Sequence, residues 1–149
     1  MSPIVYDLNP VTRITTGATG SPGKRVFYLQ ARKDDLLVTL IVEKQQVQAL
    51  AIGVEQFLGD LHRRFPQLPE ASAEYDPKEM ALEQPVDPVF RVGQIGLGYD
   101  EDSDQLVLVA REIQAEGEDP EQAVTARFWG SRSQIRAFSR WGLEVASQG

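Results

Sequence analysis

"RVFYLQARKDDLLVTLIVEKQQVQALAIGVEQFLGDLHRRFP", residues 25–66, changes its hydrophobic period once, and that change decides the fold. From Val26 to Arg32 the chain alternates. Phe27, Leu29 and Ala31 share one face, while Val26, Tyr28, Gln30 and Arg32 share the other, as in a half-buried strand. Lys33-Asp34-Asp35 turns the chain into "LLVTLIV", a continuous apolar run of the kind found in a buried central strand. From Lys44 the apolar residues recur three and four apart: Val47, Leu50, Ala51, Val54, Phe57, Leu58, Leu61 and Phe65. That spacing predicts a helix of about six turns, stopped by Pro66.

The rest of the 149 residues extends the pattern. Residues 3–17 read as two short strands broken at Asn9-Pro10. Residues 66–88 hold five of the nine prolines and many acids, and predict an extended, partly mobile connector. "VFRVGQIGLGY" and "QLVLVARE" read as strands joined by an acidic turn, and "AVTARFWG" as another strand. "SRSQIRAFSRWGLEVA" reads as a second helix with Ser131 or Ser133 at its N-cap. The core is expected to include Leu40, Ile41, Leu50, Phe57, Leu108 and Phe138.

The two halves share an order: a strand ending Ala-Arg, a strand containing Val-Thr, then Gln-apolar-x-Ala-apolar opening a helix. The expected fold class is therefore α+β: two antiparallel β-units each followed by a helix, a βββα-type pseudo-repeat about a twofold axis, with an acidic Pro-rich connector. A single domain over 1–149 would comprise strands and helix over 1–65, the connector over 66–88, and the second β-unit and helix over 89–147.

Composition excludes some chemistry. There is no cysteine, so disulfides and thiolate metal sites are absent. "MSPIVYDLNP" lacks a basic start and an apolar h-region, and no apolar run approaches the roughly 20 residues of a bilayer span, so a cytoplasmic location is expected. The net charge is −7 but unevenly placed. Residues 66–121 carry 15 acids against 3 bases, a net of −12, and the remainder carries +5. That balance disfavours a polyanionic partner.

Apparent motifs dissolve on inspection. "TGATGSPGKR", residues 16–25, resembles a phosphate-binding loop only at Gly23-Lys24. Ala18 stands where the first glycine belongs, Arg25 stands where a hydroxyl belongs, and a strand follows instead of a helix. It reads as a hairpin turn with glycines at positive φ. "GQIGLG" has the wrong spacing and context for a dinucleotide site, and reads as a bulge near Gly93. "DEDSDQ" lacks the glycine and terminal glutamate of a calcium loop. His62 is the only histidine, and no nucleophile pattern surrounds the serines.

Candidate binding residues fall in three groups. Tyr28, Gln30 and Arg32 share a strand face. Glu43, Lys44 and Gln46 sit where a strand becomes a helix, where capping is the preferred reading; with Arg91, Glu43 and Lys44 are the only nameable candidates for an enzyme of unadvertised type. Arg127 and Trp129 share a strand face, followed by an Arg132, Arg136, Arg140 helical stripe. Arginine with aromatics can hold single-stranded nucleic acid, and can equally pack against a protein partner or a second subunit. A non-catalytic binding or assembly module is the leading expectation, nucleic-acid binding the alternative. No catalytic residue, cofactor or metal is assigned.

"GATGSPGKRVFYLQA", "LIVEKQQVQALA" and "FRVGQIGLGYD", in that order, resemble the bacterial family called domain of unknown function 3090, over about residues 6–146. The resemblance implies no activity and gives no residue a role. It implies a short cysteine-rich tail resembling a zinc knuckle. A structural zinc would be expected only if such a tail follows residue 149.

Overall fold

The computed structural model describes residues 4–148. In chain order the strands are β1 (Val5–Leu8), β2 (Arg13–Thr19), β3 (Val26–Lys33) and β4 (Leu36–Val42), followed by helix α1 (Lys44–Arg64). Then come β5 (Pro88–Asp100), β6 (Gln105–Glu112), β7 (Thr125–Ser131) and helix α2 (Arg132–Ser147). No helix among the described residues is long and apolar enough to cross a membrane.

All seven strands lie in one mixed sheet, in the order β1-β7-β6-β5-β4-β3-β2. The expected pair of βββα units about a twofold axis does not form, although the α+β class holds. β4 pairs in parallel with β5, so the strands of the two halves run on as one sheet. β1 leaves the N-terminal half and pairs in parallel with β7 at the far side. The units were expected to bury their apolar faces against each other; backbone pairing of β4 with β5 and a shared pair of helices meet that need instead. Ala31, Ala110, Val47 and Ile135 are all buried, but as inner-face residues of one sheet and its two helices.

Strand alternation fixes the faces. Leu97, Leu108, Phe128 and Leu8 form one inner row across β5, β6, β7 and β1. Leu108, Phe128 and Leu8 in that row are fully buried. Thr16, Leu29 and Leu40 form another row across β2, β3 and β4. The two helices pack together over this inner face. Where Val47 of α1, Phe138 and Gly142 of α2, Leu29 and Ile95 converge, a void of only about 10 Å³ remains. Gly142 permits the approach, because a Cβ there would stand 3.0 Å from Val47 and 3.3 Å from Thr16. Trp141 of α2 donates its indole N–H to the Thr16 carbonyl at 2.8 Å. Leu40, Leu50, Leu108 and Phe138 are buried as expected, and Phe57 is half-buried. Ile41 is the exception: β4 alternates Val38, Leu40 and Val42 inward, so Ile41 faces outward and is half-buried.

The sheet curls until its two sides meet at the β1–β2 connection. Val11 N donates to Trp129 O of β7 and Thr12 N to Arg32 O of β3, both at 2.7 Å. Two adjacent residues thus bond to the strands next to the two opposite ends of the sheet order, β7 and β3, so the short β1–β2 connection draws those ends together.

The helix ends follow local chemistry. Ser131 and Gln134 form a reciprocal capping box on α2, with Gln134 N to Ser131 Oγ at 3.0 Å and Ser131 N to Gln134 Oε1 at 2.9 Å. On α1, Glu43 N donates to Gln46 Oε1 at 2.7 Å. The hairpin of residues 17–23 turns as expected, with Gly20 and Gly23 at positive φ. The bulge falls between Val92 and Gln94.

Residues 66–87, expected as an extended, partly mobile connector, are tied to the rest of the molecule. They form a strap fixed at many points. Arg132 Nη1 donates to Pro69 O and Arg136 Nη1 to Ala71 O, both at 2.6 Å, and Ser72 N donates to Ser133 Oγ at 2.9 Å. Further along, the strap crosses the outer face of β2 and β3, where Thr15 Oγ1 donates to Met80 O at 2.6 Å. Sequence-distant arginines, threonine and glutamine bind its backbone, so its proline and acid content does not make it free.

Candidate functional site

The outer face of the sheet falls into two parts of opposite character. Over β2, β3 and β4 it is covered by the strap. Thr15, Gln30 and Thr39 form a row there and are all but fully buried. Gln30 donates from Nε2 to Thr39 Oγ1 and to Glu83 O, and accepts from Glu83 N. Glu83 is within 3.0 Å of Arg32 Nε through both carboxylate oxygens and 3.4 Å from Arg13. The Arg32 hydrogen bond holds the Glu83 carboxyl below its ordinary range, against the opposing effect of burial. Leu82 seats over Gly17, where a Cβ would come within 2.6 Å of it.

Over β5, β6 and β7 the strap does not reach: among the described residues Gln94 and Gly96 are exposed and Val109, Arg127 and Trp129 half-buried on the outer face, while Val107 is buried. Gly98, Val107 and Trp129 form one row, Gly96, Val109 and Arg127 a second, and Gln94, Arg111 and Thr125 a third. β1 extends them with Asp7 beside Arg127 and Val5 beside Thr125. Gly96 is exposed, with nothing within 4 Å of where its Cβ would be. A cleft of about 390 Å³ opens here, lined by Gln94, Ile95, Gly96, Val109 and Arg111. Ile113 is a further exposed apolar side chain just after β6.

The expected site residues scatter over the molecule. Gln30 and Arg32 are spent on the strap, and Tyr28 is half-buried beside Thr19 on the same face. Glu43 pairs with Arg91 at 2.9 Å and Gln46 donates to Val92 O, so this corner ties a helix start to β5; Lys44, half-buried, opens the helix. The Arg132, Arg136, Arg140 stripe exists, but as structural ties. Arg132 binds both oxygens of Asp104, at 2.8 and 3.2 Å. Its hydrogen bond lowers the Asp104 carboxyl's pKa. Arg136 and Arg140 share Glu55, each at 3.1 Å, and Arg136 also lies 3.5 Å from Glu70. Tyr99 donates to Asp104 at 2.7 Å, and burial, reinforced by that bond, pushes its phenol up to about 12.

Only Arg127 and Trp129 lie on the open face. Arg127 pairs with Asp7 at 3.2 Å, and the Trp129 indole N–H donates to the same carboxylate at 2.8 Å. The rest of the face, Gln94, Gly96, Gly98, Val107, Val109 and Arg111, was not among the sequence candidates. Its signal was present in "GQIGLG" and "LVLVAR": alternating positions of β5 and β6 are small or apolar on the side away from the core. Among the described residues no group of three His, Asp or Glu could hold a metal ion. His62 is exposed at the rim of a cleft of about 360 Å³ between α1, the strap and α2, where Arg132 and Arg136 are already paired.

A family model described as protein of unknown function (DUF3090) matches residues 6–149. No curated protein and no solved structure matches the chain.

Proposed function

From a chain that belongs to the DUF3090 family of proteins of unknown function, we propose a non-catalytic protein-docking module that works through the outer face of β5, β6 and β7. The observation that carries this reading is the contrast within one surface. The strap seals the outer face of β2 and β3, whereas on the same side of the same sheet Gly96 is exposed and Val109 and Trp129 are half-buried, with no strap over them among the described residues. Exposed small and apolar residues rimmed by polar ones mark interaction surfaces, and a tryptophan beside an arginine is a frequent energetic anchor in them. The arginine stripe of α2, the feature most suggestive of nucleic acid, is engaged by Asp104, Glu55 and Glu70.

The test is site-specific photocrosslinking in cells of the native host, with the photoreactive residue at Val109 and a control at the exposed Gln48 of α1. The expected result is a discrete protein adduct from Val109 alone. Identified by mass spectrometry and purified, that partner should bind the chain and bind Trp129→Ala at least tenfold less tightly, about 1.4 kcal/mol. A nuclease-sensitive adduct, or none at Val109, would overturn the reading.

A further inference from the structure

We infer that the open face receives an extended protein segment carrying an apolar residue and, one or two positions on, a carboxylate. The inference rests on the docking function proposed above and specifies its ligand. Its template is the molecule itself. Leu82 and Glu83 of the strap are an adjacent apolar-acidic pair lying on this sheet, and the groups that hold them are visible. A glycine in the strand below, Gly17, leaves room for the leucine. An amide side chain, Gln30, binds the segment's backbone N–H and C=O together. An arginine on the neighbouring strand, Arg32, takes the carboxylate.

The same three kinds of group stand together on the open half. Gly96 and Gly98 alternate on the outer side of β5; Val107 packs into the space at Gly98, and open space remains at Gly96 beside Val109, in the cleft that Gln94 and Arg111 also line. Gln94 is exposed, and its side chain makes no hydrogen bond among the described residues. Beside it, Arg111 donates to Pro120 O at 2.6 Å and has no carboxylate partner among the described residues. The Gly96 row and the Arg111 row are two residues apart along the strands, about 7 Å, a spacing that nearby side chains of an extended segment span. An arginine without a carboxylate selects an acidic group. An open notch at Gly96 beside Val109 suits an aliphatic side chain. This is an arrangement for reading a strand-like peptide by backbone and alternate side chains.

The probe is a synthetic peptide of the strap sequence Lys78–Val86, KEMALEQPV, titrated into the ¹⁵N-labelled chain and followed by amide chemical shifts. The expected result is saturable shifts at Gly96, Gly98, Val109 and Arg111, with Gly17 and Gln30 unmoved. Gly96→Val, at a position with open space above it, should keep the fold and weaken binding at least about tenfold, as should Arg111→Gln. A Leu82→Ser, Glu83→Gln version of the peptide should not bind. Shifts confined to Gly17, Thr15 and Gln30 would mean that the peptide only displaces the strap, and would overturn the inference. So would equal binding of the altered peptide, or no shifts with the parent one. A Val109-crosslinked partner that binds while neither peptide does would leave the docking function standing and remove this ligand class. No partner and no peptide binding would remove both.

Discussion

Gln30 on β3 and Glu83 on the strap hold each other as a cyclic amide pair, with Glu83 N donating to Gln30 Oε1 at 2.7 Å and Gln30 Nε2 donating to Glu83 O at 3.1 Å. Gln30 is only 1% exposed, so water cannot replace either bond once the side chain is cut back. Gln30→Leu strands two backbone groups and the Thr39 hydroxyl, and should cost about 1–3 kcal/mol in urea unfolding. Limited proteolysis of the folded variant should also cut within residues 79–85 sooner than in the parent. Unchanged stability with an unchanged cleavage pattern would show that the strap is held by its arginines alone.

Two glycines on the outer face should respond oppositely to one methyl group. Gly17→Ala puts a Cβ within 2.6 Å of Leu82, so the strap must shift. It should lower the melting temperature and lift the protection of strap amides from hydrogen exchange. Gly96→Ala meets nothing within 4 Å and replaces a flexible residue inside a strand, so it should be neutral or stabilising by up to about 1 kcal/mol. Equal losses at both positions would show that both halves of the outer face are covered in solution.

The shifted groups define two pH limbs. Glu83 and Asp104 have lowered pKa values in the fold, chiefly through hydrogen bonds from Arg32 and Arg132. Between the lowered and ordinary values the unfolded chain binds more protons. Their stabilisation is therefore present above the ordinary carboxylate range, about 4, and is lost as pH falls through the lowered values. Tyr99 is pushed the other way, to about 12. Its contribution is complete below the ordinary phenol value, about 10, and disappears as pH rises from there through the raised value. Thermal melts against pH should show Glu83→Gln with a shallower acid limb and Tyr99→Phe with a shallower alkaline one. A parent-like alkaline limb in Tyr99→Phe would place that loss elsewhere, in the lysines and arginines.

Period and punctuation made the elements legible. The switch at Lys44, the stop at Pro66, the Ser131 cap, the glycine hairpin and the bulge near Gly93 are written locally, and each appears where local chemistry places it. Sheet order was not legible, because β4 meeting β5 and β1 meeting β7 depend on backbone pairing between segments with no mutual mark in the sequence. The strap was misread for the same reason: the groups that fix Pro69, Ala71, Met80 and Glu83 are Arg132, Arg136, Thr15 and Gln30, 50 or more residues away. The arginine stripe was correctly spaced, but its counter-charges Asp104, Glu55 and Glu70 come from three other elements. A one-dimensional pattern can show that a face is basic, not that it is already neutralised.

That neutralisation sets the last prediction, on single-stranded nucleic acid. Arg136 is 17% exposed and holds Glu55, Glu70 and the Ala71 carbonyl, while Arg140 is 46% exposed and holds Glu55 alone. Arg136→Ala should thus cost about 1.5–3 kcal/mol of stability, and Arg140→Ala under about 1 kcal/mol. A polyanion would have to displace the carboxylates before reaching either guanidinium. Fluorescence anisotropy with an unstructured oligonucleotide should accordingly show no binding, even at low salt. Were the stripe a nucleic-acid site, affinity would fall with salt by about 0.7 log units per log unit of salt for each phosphate contact. Trp129→Ala would then remove about 1–3 kcal/mol of stacking. Salt-dependent binding that Arg136→Ala weakens without loss of stability would mean that the ion pairs open readily in solution, and that α2 with its neighbouring strand, rather than the notch at Gly96 of β5, is the working surface.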